Sequence, residues 1–178
     1  PLQTGPGVSQ VNPQQRTAAG GCGTCQRCQV NCPTGALDEA YQLDAKKCLS
    51  YWTIEHRGTI PEKFWPWLKH YYFGCDICQL VCPYNRGGDE LVRPELRRQP
   101  PADLMAIATM DQGQYEQWFG GTPMTRAKKE GLQRNAMIAL TVTEDPRVPE
   151  LIASLAEATD PVVQGTIAQM KKWLQSTC

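Results

Sequence analysis

The sequence has no net charge and no apolar run long enough to cross a membrane. Its 178 residues include 18 basic and 18 acidic side chains, so no global field would attract a nucleic acid or a membrane surface. No apolar stretch approaches the ~20 residues that a transmembrane helix needs. Residues 1–21 also lack the apolar segment of a signal peptide. These absences predict a cytoplasmic protein with no membrane partner.

Cysteine is absent from residues 83–177, whereas eight of the nine cysteines lie within residues 22–82. The first run has the spacing Cys-x2-Cys-x2-Cys-x3-Cys-Pro, formed by Cys22, Cys25, Cys28, Cys32 and Pro33. This spacing is typical of bacterial ferredoxins that bind [4Fe-4S] clusters, in which the Cys-Pro cysteine ligates the other cluster. The first run therefore predicts two clusters.

A second run repeats the end of the first but lacks its leading cysteine. Cys75, Cys78 and Cys82-Pro83 form it, and Cys48 is the remaining thiol that could replace the missing ligand. The rule for the Cys-Pro cysteine then predicts a crosswise pairing. Cluster 1 is predicted to use Cys22, Cys25, Cys28 and Cys82, and cluster 2 to use Cys32, Cys48, Cys75 and Cys78. Cys178 is left over.

Two other uses of these cysteines are less consistent with the pattern. A tetrahedral zinc site needs two Cys-x2-Cys pairs, which leaves the rest of the first run and both Cys-Pro steps unexplained. A disulfide framework is unexpected in a reducing cytosol.

The predicted fold class is α+β, in three segments. Residues 1–20 are predicted to be a flexible linker, either cut from a longer chain or a natural N-terminus that has lost its methionine. Residues 21–88 are predicted to form a ferredoxin-like domain with two [4Fe-4S] clusters, including a short hairpin of strands at 34–37 and 41–44. Residues 89–178 are predicted to form an all-α, HEAT-like domain.

Helical punctuation and periodicity predict several helices. They are expected at 48–56, 61–70, 111–119 and 126–142, around Leu151, and from Asp160-Pro161 onward. On the helix at 126–142 the predicted core face comprises Leu132, Ala136, Ala139 and Leu140. The last two helices resemble one HEAT-like repeat. The aromatic residues within 64–73 would shield a cluster from water, or they only fill a small core, and the two roles do not conflict.

Four basic residues between positions 126 and 134 form a candidate phosphate-binding run, opposed by Glu130 alone. They are Arg126, Lys128, Lys129 and Arg134. A basic helix end can contact nucleic acid phosphates. Such a run is also a common way to solvate a helix face.

The cysteine pattern and the helical tail together resemble the C-terminal half of the epoxyqueuosine reductases, cobalamin-dependent iron–sulfur enzymes of tRNA queuosine biosynthesis. The resemblance covers nearly everything after Gly21. Its cysteine-bearing parts are Cys22 to Cys32-Pro-Thr-Gly-Ala, Cys48-Leu-Ser-Tyr-Trp-Thr-Ile-Glu55 with Gly58 and Ile60-Pro-Glu62, and Gly74 to Asn85. Its helical parts are Phe119-Gly-Gly-Thr-Pro-Met-Thr-Arg126 and Arg134-Asn135.

The resemblance implies that an external donor supplies electrons, which pass through the two clusters to a cobalamin. The reduced cobalt would then drive removal of the epoxide oxygen from the modified wobble base. It also implies that the helical tail, including the four basic residues, contacts the anticodon stem-loop of tRNA. We expect the protein to be a monomer. The family's N-terminal catalytic half is absent from this sequence, so no catalytic residue is assigned and the chain is not expected to turn over alone. Val163-Gln164 and Thr166 depart from the family's last repeat, where Val-Arg and a histidine are usual.

Two alternatives remain open at this point. One is a standalone ferredoxin-like electron carrier whose helical tail docks a protein partner. The other is a fragment of a corrinoid reductive dehalogenase, although such enzymes lack a HEAT-like tail.

Overall fold

The computed structural model describes residues 22–85 and 103–177. The predicted linker, both predicted domain boundaries and Cys178 lie outside these residues. Packing divides the described residues into two units. The cysteine-rich unit comprises residues 22–45 and 76–85, and the helical unit comprises residues 46–75 and 103–177. The segment between Cys48 and Cys75 thus packs with the C-terminal helices.

Short helical turns precede longer helices along the chain. The α-helices are α1 (Arg27–Asn31), α2 (Trp65–Leu68), α3 (Ile77–Leu80), α4 (Leu104–Thr109), α5 (Gln112–Phe119), α6 (Lys128–Val142), α7 (Val148–Ser154) and α8 (Pro161–Thr177). A π-helical turn spans Tyr51–Glu55, and 3-10 turns span Glu62–Phe64, Pro83–Asn85 and Pro123–Ala127. No described helix is long and apolar enough to cross a membrane.

The predicted α+β class is wrong, because the residues that the structure describes contain helices and turns but no strand. Asp44 N does donate to Ala36 O at 2.9 Å, as a hairpin would require. Between these residues, however, Tyr41 adopts φ 60 and Gln42 N bonds to Glu39 O at 3.2 Å. A non-glycine residue in the left-handed region turns the chain away from an extended path, so residues 34–44 form successive turns.

Helix α6 is the centre of the helical unit. Contacts with α2, α4 and α8 surround it, and every residue from 131 to 141 is buried. The predicted core face is confirmed, since Leu132, Ala136 and Ala139 are fully buried and Leu140 nearly so. Because α6 is buried on all sides, some of its polar side chains are buried as well. Gln133 therefore donates to the carbonyl oxygens of Ala108 and Met110, at 3.3 and 3.1 Å.

The predicted helix starts at Asp111 and Asp160 are confirmed. Asp111 accepts a hydrogen bond from Gln114 N at 2.8 Å, and the Gln114 side chain returns one to Asp111 N, which makes a capping box. Asp160 Oδ1 accepts from Val162 N and Val163 N at 2.8 and 3.1 Å. Helices α7 and α8 both pack on α6, and their assignment to a HEAT-like repeat stays a prediction.

The aromatic segment contributes to the core of the helical unit. Trp65 is fully buried, donates from Nε1 to Ile60 O at 3.0 Å, and lies 5.2 Å from Trp173 between ring centroids. Phe64 is also buried and stacks 5.3 Å from Trp52. These two rings therefore have a packing role, as the second of the two predicted interpretations requires.

Two glycines in the long helices should respond oppositely to alanine. A Cβ at Gly165 would lie 2.8 Å from the Thr59 methyl carbon, whereas one at Gly131 would meet its neighbours at 3.6 Å or more. We expect Gly165→Ala to lower the free energy of unfolding by about 1–2 kcal/mol, because overpacking exceeds the gain in helix propensity. Gly131→Ala should raise it by up to about 1 kcal/mol. Urea unfolding of both variants tests this, and equal stabilisation by both would contradict the close packing at Thr59.

Candidate metal centre

Three predicted ligands line one cavity in the cysteine-rich unit. Cys22, Cys25 and Cys28 contribute to its wall, together with Leu37 and residues 39–43, and its volume is about 310 Å³. A turn closed by Cys25 N and Cys22 O at 3.0 Å shapes the first loop, and Gly23 within it has φ 54. Cys28 lies on α1. A local turn therefore connects Cys22 and Cys25, and Cys28 follows on α1.

The Cys32 sulfur receives hydrogen bonds that favour the thiolate. Ala36 N donates to Cys32 Sγ at 3.2 Å, and the Thr34 hydroxyl lies 3.8 Å from it. Burial acts to raise the pKa of the Cys32 thiol, but the hydrogen bonds from Thr34 and Ala36 outweigh it, so the pKa lies below its usual value. Donors to a ligand sulfur are a usual way to tune a cluster.

Gly35 makes the turn around Cys32 possible. It has φ 64, and a Cβ there would lie 2.7 Å from Asp38 Oδ1. Gly35 N donates to Cys32 O at 3.4 Å. A side chain at this position would disturb the loop that directs Ala36 N to the sulfur.

Cys78 and Cys82 lie in the same unit as the first cysteine run. Helix α3, which carries Cys78, packs against α1. The turn at Cys82 is closed by Asn85 N, which donates to Cys82 O at 3.1 Å. Asn85 Nδ2 also donates to the backbone and side-chain oxygens of Gln79 at 2.9 and 3.0 Å. All four predicted ligands of cluster 1 thus belong to one compact unit.

Cys48 and Cys75 lie in the helical unit, and a serine connects their surroundings. Cys75 N donates to Ser50 Oγ at 3.0 Å, and Ser50 Oγ donates to Cys75 O at 3.4 Å. Ser50 is two residues after Cys48, on the helical turn that continues to Glu55. Both cysteines are half-buried. A single hydroxyl group therefore fixes the backbone of one predicted ligand to the turn that begins at the other.

The residues present fit an iron–sulfur cluster. The donor set consists of thiols, the soft ligands that such clusters select, and the Cys32 sulfur has the hydrogen-bond donors that stabilise a bound thiolate. Within residues 22–85 and 103–177, no three His, Cys, Asp or Glu side chains converge to hold a single metal ion. A cubane distributes its four thiolates over four irons.

The four basic residues predicted to contact phosphates lie in different environments. Lys128 is exposed, Lys129 is half-buried, and both begin α6. Lys128 has φ 63, an unusual conformation for a residue with a side chain. Arg126 forms an ion pair with Glu55, although its side chain remains 68% exposed.

Arg134, by contrast, is fully buried. Its Nη1 donates to His56 O at 2.9 Å and to Gly58 O, and its Nη2 donates to Trp52 O at 2.8 Å. Burial, and then the nearby charge of Arg57, lower the pKa of Arg134 to about 10, so it remains protonated at neutral pH. Arg134 therefore stabilises the turn at 52–58 and presents no charge to a phosphate at the surface.

Arg57 is a basic residue at this surface that the sequence pattern did not identify. It is exposed, and it donates from Nη1 to Ile54 O at 2.9 Å and from Nη2 to Arg126 O at 2.7 Å. Because 69 residues separate Arg57 from Arg126, no local charge pattern connects them. Arg57, Arg126, Lys128 and Lys129 are together called the basic surface below.

Residues 21–85 match the family described as the 4Fe-4S double cluster binding domain. This match confirms the iron–sulfur prediction at the level of the domain. It covers both cysteine runs and Cys48.

The chain is similar to a named enzyme and to an uncharacterised protein. It is 36% identical over 151 residues to the epoxyqueuosine reductase of Bacillus anthracis, covering 83% of this chain and 40% of that protein. An uncharacterised protein of Geobacillus stearothermophilus is 35% identical over 151 residues, covering 83% of this chain and 69% of that protein.

A solved structure has the same fold over most of the chain. It is an epoxyqueuosine reductase with an epoxyqueuosine-modified tRNA-Tyr stem loop, 32% identical with a TM-score of 0.74, and the match covers 84% of this chain and 40% of that one. This chain thus spans about 40% of the length of the epoxyqueuosine reductases that it matches.

Proposed function

Because the chain belongs to the epoxyqueuosine reductase family over the part that it spans, we propose that it is the electron-transfer and tRNA-docking portion of such an oxidoreductase. The observation that carries this proposal is the arrangement of Cys22, Cys25 and Cys28 around one cavity within a double-cluster domain. The similarity to these enzymes covers 84% of this chain, more than the cysteine-rich segment alone, which favours this function over a standalone ferredoxin or a dehalogenase fragment.

The proposed ligand sets are those that the spacing predicts. Cluster 1 takes Cys22, Cys25, Cys28 and Cys82, and cluster 2 takes Cys32, Cys48, Cys75 and Cys78. When bound, the clusters would supply one-electron transfer. The protein's part is to hold the thiolates and set their hydrogen bonding, as Ala36 N does at Cys32 Sγ, since donors to sulfur and burial set a cluster's potential.

The proposed RNA-docking site is the basic surface. Arg57, Arg126 and Lys128 are exposed and Lys129 is half-buried, and cations at a surface can neutralise phosphates. A tRNA stem loop is present with the epoxyqueuosine reductase in the similar structure, which supports the anticodon stem-loop as the partner of this chain. Arg134 is not part of the proposed site, because it is buried.

We further propose that the electrons come from an external donor and that their acceptor is a cobalamin, as the family resemblance implies. No described residue is assigned to a cobalamin pocket. The reduction of epoxyqueuosine to queuosine in tRNA is accordingly proposed for a complete enzyme, and this chain is not expected to catalyse it alone.

Metal and sulfide analysis tests the cluster proposal. Anaerobic reconstitution of the full chain should give about eight iron and about eight sulfide per protein. Cys178→Ser should retain both contents, because Cys178 lies outside the predicted ligand sets. Stoichiometric zinc without sulfide in the purified and reconstituted protein would refute the iron–sulfur assignment.

A further inference from the structure

Thr53 lies at the centre of a buried hydrogen-bond network in the helical unit. It is fully buried, and its hydroxyl donates to Leu49 O at 2.8 Å and accepts from Gly74 N at 3.0 Å. Leu49 and Gly74 are the immediate neighbours of Cys48 and Cys75 in sequence. The Thr53 hydroxyl therefore joins the two chain segments that carry these cysteines.

Asn135 on α6 holds Thr53 from the other side. Its Nδ2 donates to Thr53 O at 2.7 Å, and its Oδ1 accepts from Arg134 Nε at 3.0 Å. The bond from Arg134 orients the amide so that Nδ2 faces the Thr53 carbonyl. Both side chains are fully buried. Because an unpaired polar group would be costly there, the two side chains are restricted to conformations that keep these hydrogen bonds.

Ser50 completes the connection. Its hydroxyl bonds to both N and O of Cys75, at 3.0 and 3.4 Å, while Trp52 N donates to Cys48 O at 3.3 Å. Gly74 has φ 74, which orients the chain into Cys75. The Ser50 side chain thus holds the backbone of Cys75, and the Thr53 side chain holds the residues next to both cysteines.

We propose that Thr53, Ser50 and Asn135 are positioning residues for the cluster that takes Cys48 and Cys75. The inference rests on the proposed function, because it requires a cluster at these thiols. The three residues fix the separation and direction of the two ligand backbones before the metal binds. Losing one of them should change this cluster while sparing the cluster held by Cys22, Cys25 and Cys28.

Thr53→Val tests the proposal, because valine keeps the shape of threonine but removes the hydroxyl. In reconstituted protein, we expect a chelator to remove the iron of one cluster, about half of the total, about tenfold faster than in the wild type. A tenfold change corresponds to the loss of one hydrogen bond. EPR of the reduced protein should show altered g values for one centre and unchanged values for the other. Thr53→Ser, which restores the hydroxyl, should behave as the wild type.

Thr141→Val is a matched control. Thr141 is also buried in the helical unit, and its hydroxyl donates four residues back, to Met137 O at 2.8 Å, as Thr53 does to Leu49 O. This variant should leave both EPR signals and the rate of iron loss unchanged. If Thr141→Val and Thr53→Val alter both centres equally, Thr53 affects only global stability and the proposal fails.

Ser50→Ala provides a second variant at a half-buried position, should Thr53→Val not fold. It should also change one EPR signal alone. Wild-type rates and spectra for Ser50→Ala, or for a folded Thr53→Val, would overturn the positioning role. Failure of the proposed function is distinguishable, since the wild-type protein itself would then take up no iron and sulfide.

Discussion

Replacing Cys82 by serine should leave the reconstituted protein with about half of its iron and a single EPR-active centre. Serine offers a harder oxygen ligand that iron–sulfur clusters do not favour. The spacing rule assigns Cys82 to the cluster of Cys22, Cys25 and Cys28, and the structure puts all four in one compact unit. Iron analysis and EPR of the reduced protein provide the measurement, with about four iron expected instead of about eight.

Cys75→Ser distinguishes the crosswise pairing from its alternative. It should remove the centre that Cys82→Ser preserves, so the two single variants should show complementary spectra. If both variants lose the same centre, Cys75 and Cys82 ligate one cluster and the crosswise assignment is wrong. Cys178→Ser, with both signals intact, controls for the loss of a thiol as such.

Reversing the charges of Lys128 and Lys129 should weaken binding of a tRNA anticodon stem-loop by about 10- to 100-fold at low salt. Each phosphate contact adds counterion release to the affinity, so the slope of log K against log salt should fall by about 1 per lost contact. Fluorescence anisotropy over a series of KCl concentrations measures both quantities with the Lys128→Glu, Lys129→Glu double variant.

A variant with the same net charge distinguishes a direct contact of Lys128 and Lys129 with RNA from an effect of the overall charge of the protein. Lys69 and Lys171 are exposed in the helical unit, and Lys69→Glu, Lys171→Glu changes the net charge equally. This control should retain most of the affinity. Equal losses in the two double variants would mean that the basic surface does not dock RNA, and unchanged binding in the first would identify Lys128 and Lys129 as solvating residues.

The parts of the molecule that sequence predicted best are governed by local chemistry. Ligand spacing within a loop predicted the iron–sulfur domain, and Asp111 and Asp160 marked helix starts because a cap bonds to residues two or three positions away. The hairpin prediction failed because alternation of side chains says nothing about the backbone angle at Tyr41, which turns the chain.

The sequence pattern did not predict which polar residues are buried. Arg134 belongs to a run of basic residues, yet its oxygen partners on Trp52, His56 and Gly58 lie 76 to 82 positions earlier. The roles of Ser50 and Thr53 have the same origin, since their partners at residues 74 and 75 are more than 20 positions away. Such contacts exist only after the helices have packed.

The 82-residue separation between Asn135 and Thr53 has a consequence for how the protein matures. Of the described residues, a ribosome releases residues 22–28 first, and the turn there is closed by a bond within its own backbone. The segment from Cys48 to Cys75 emerges next, but α6, which immobilises it, is made later. We therefore expect the proposed cluster at Cys48 and Cys75 to become stable only after α6 has been translated, whereas Cys82, the last predicted ligand of the other cluster, precedes α6 in the chain.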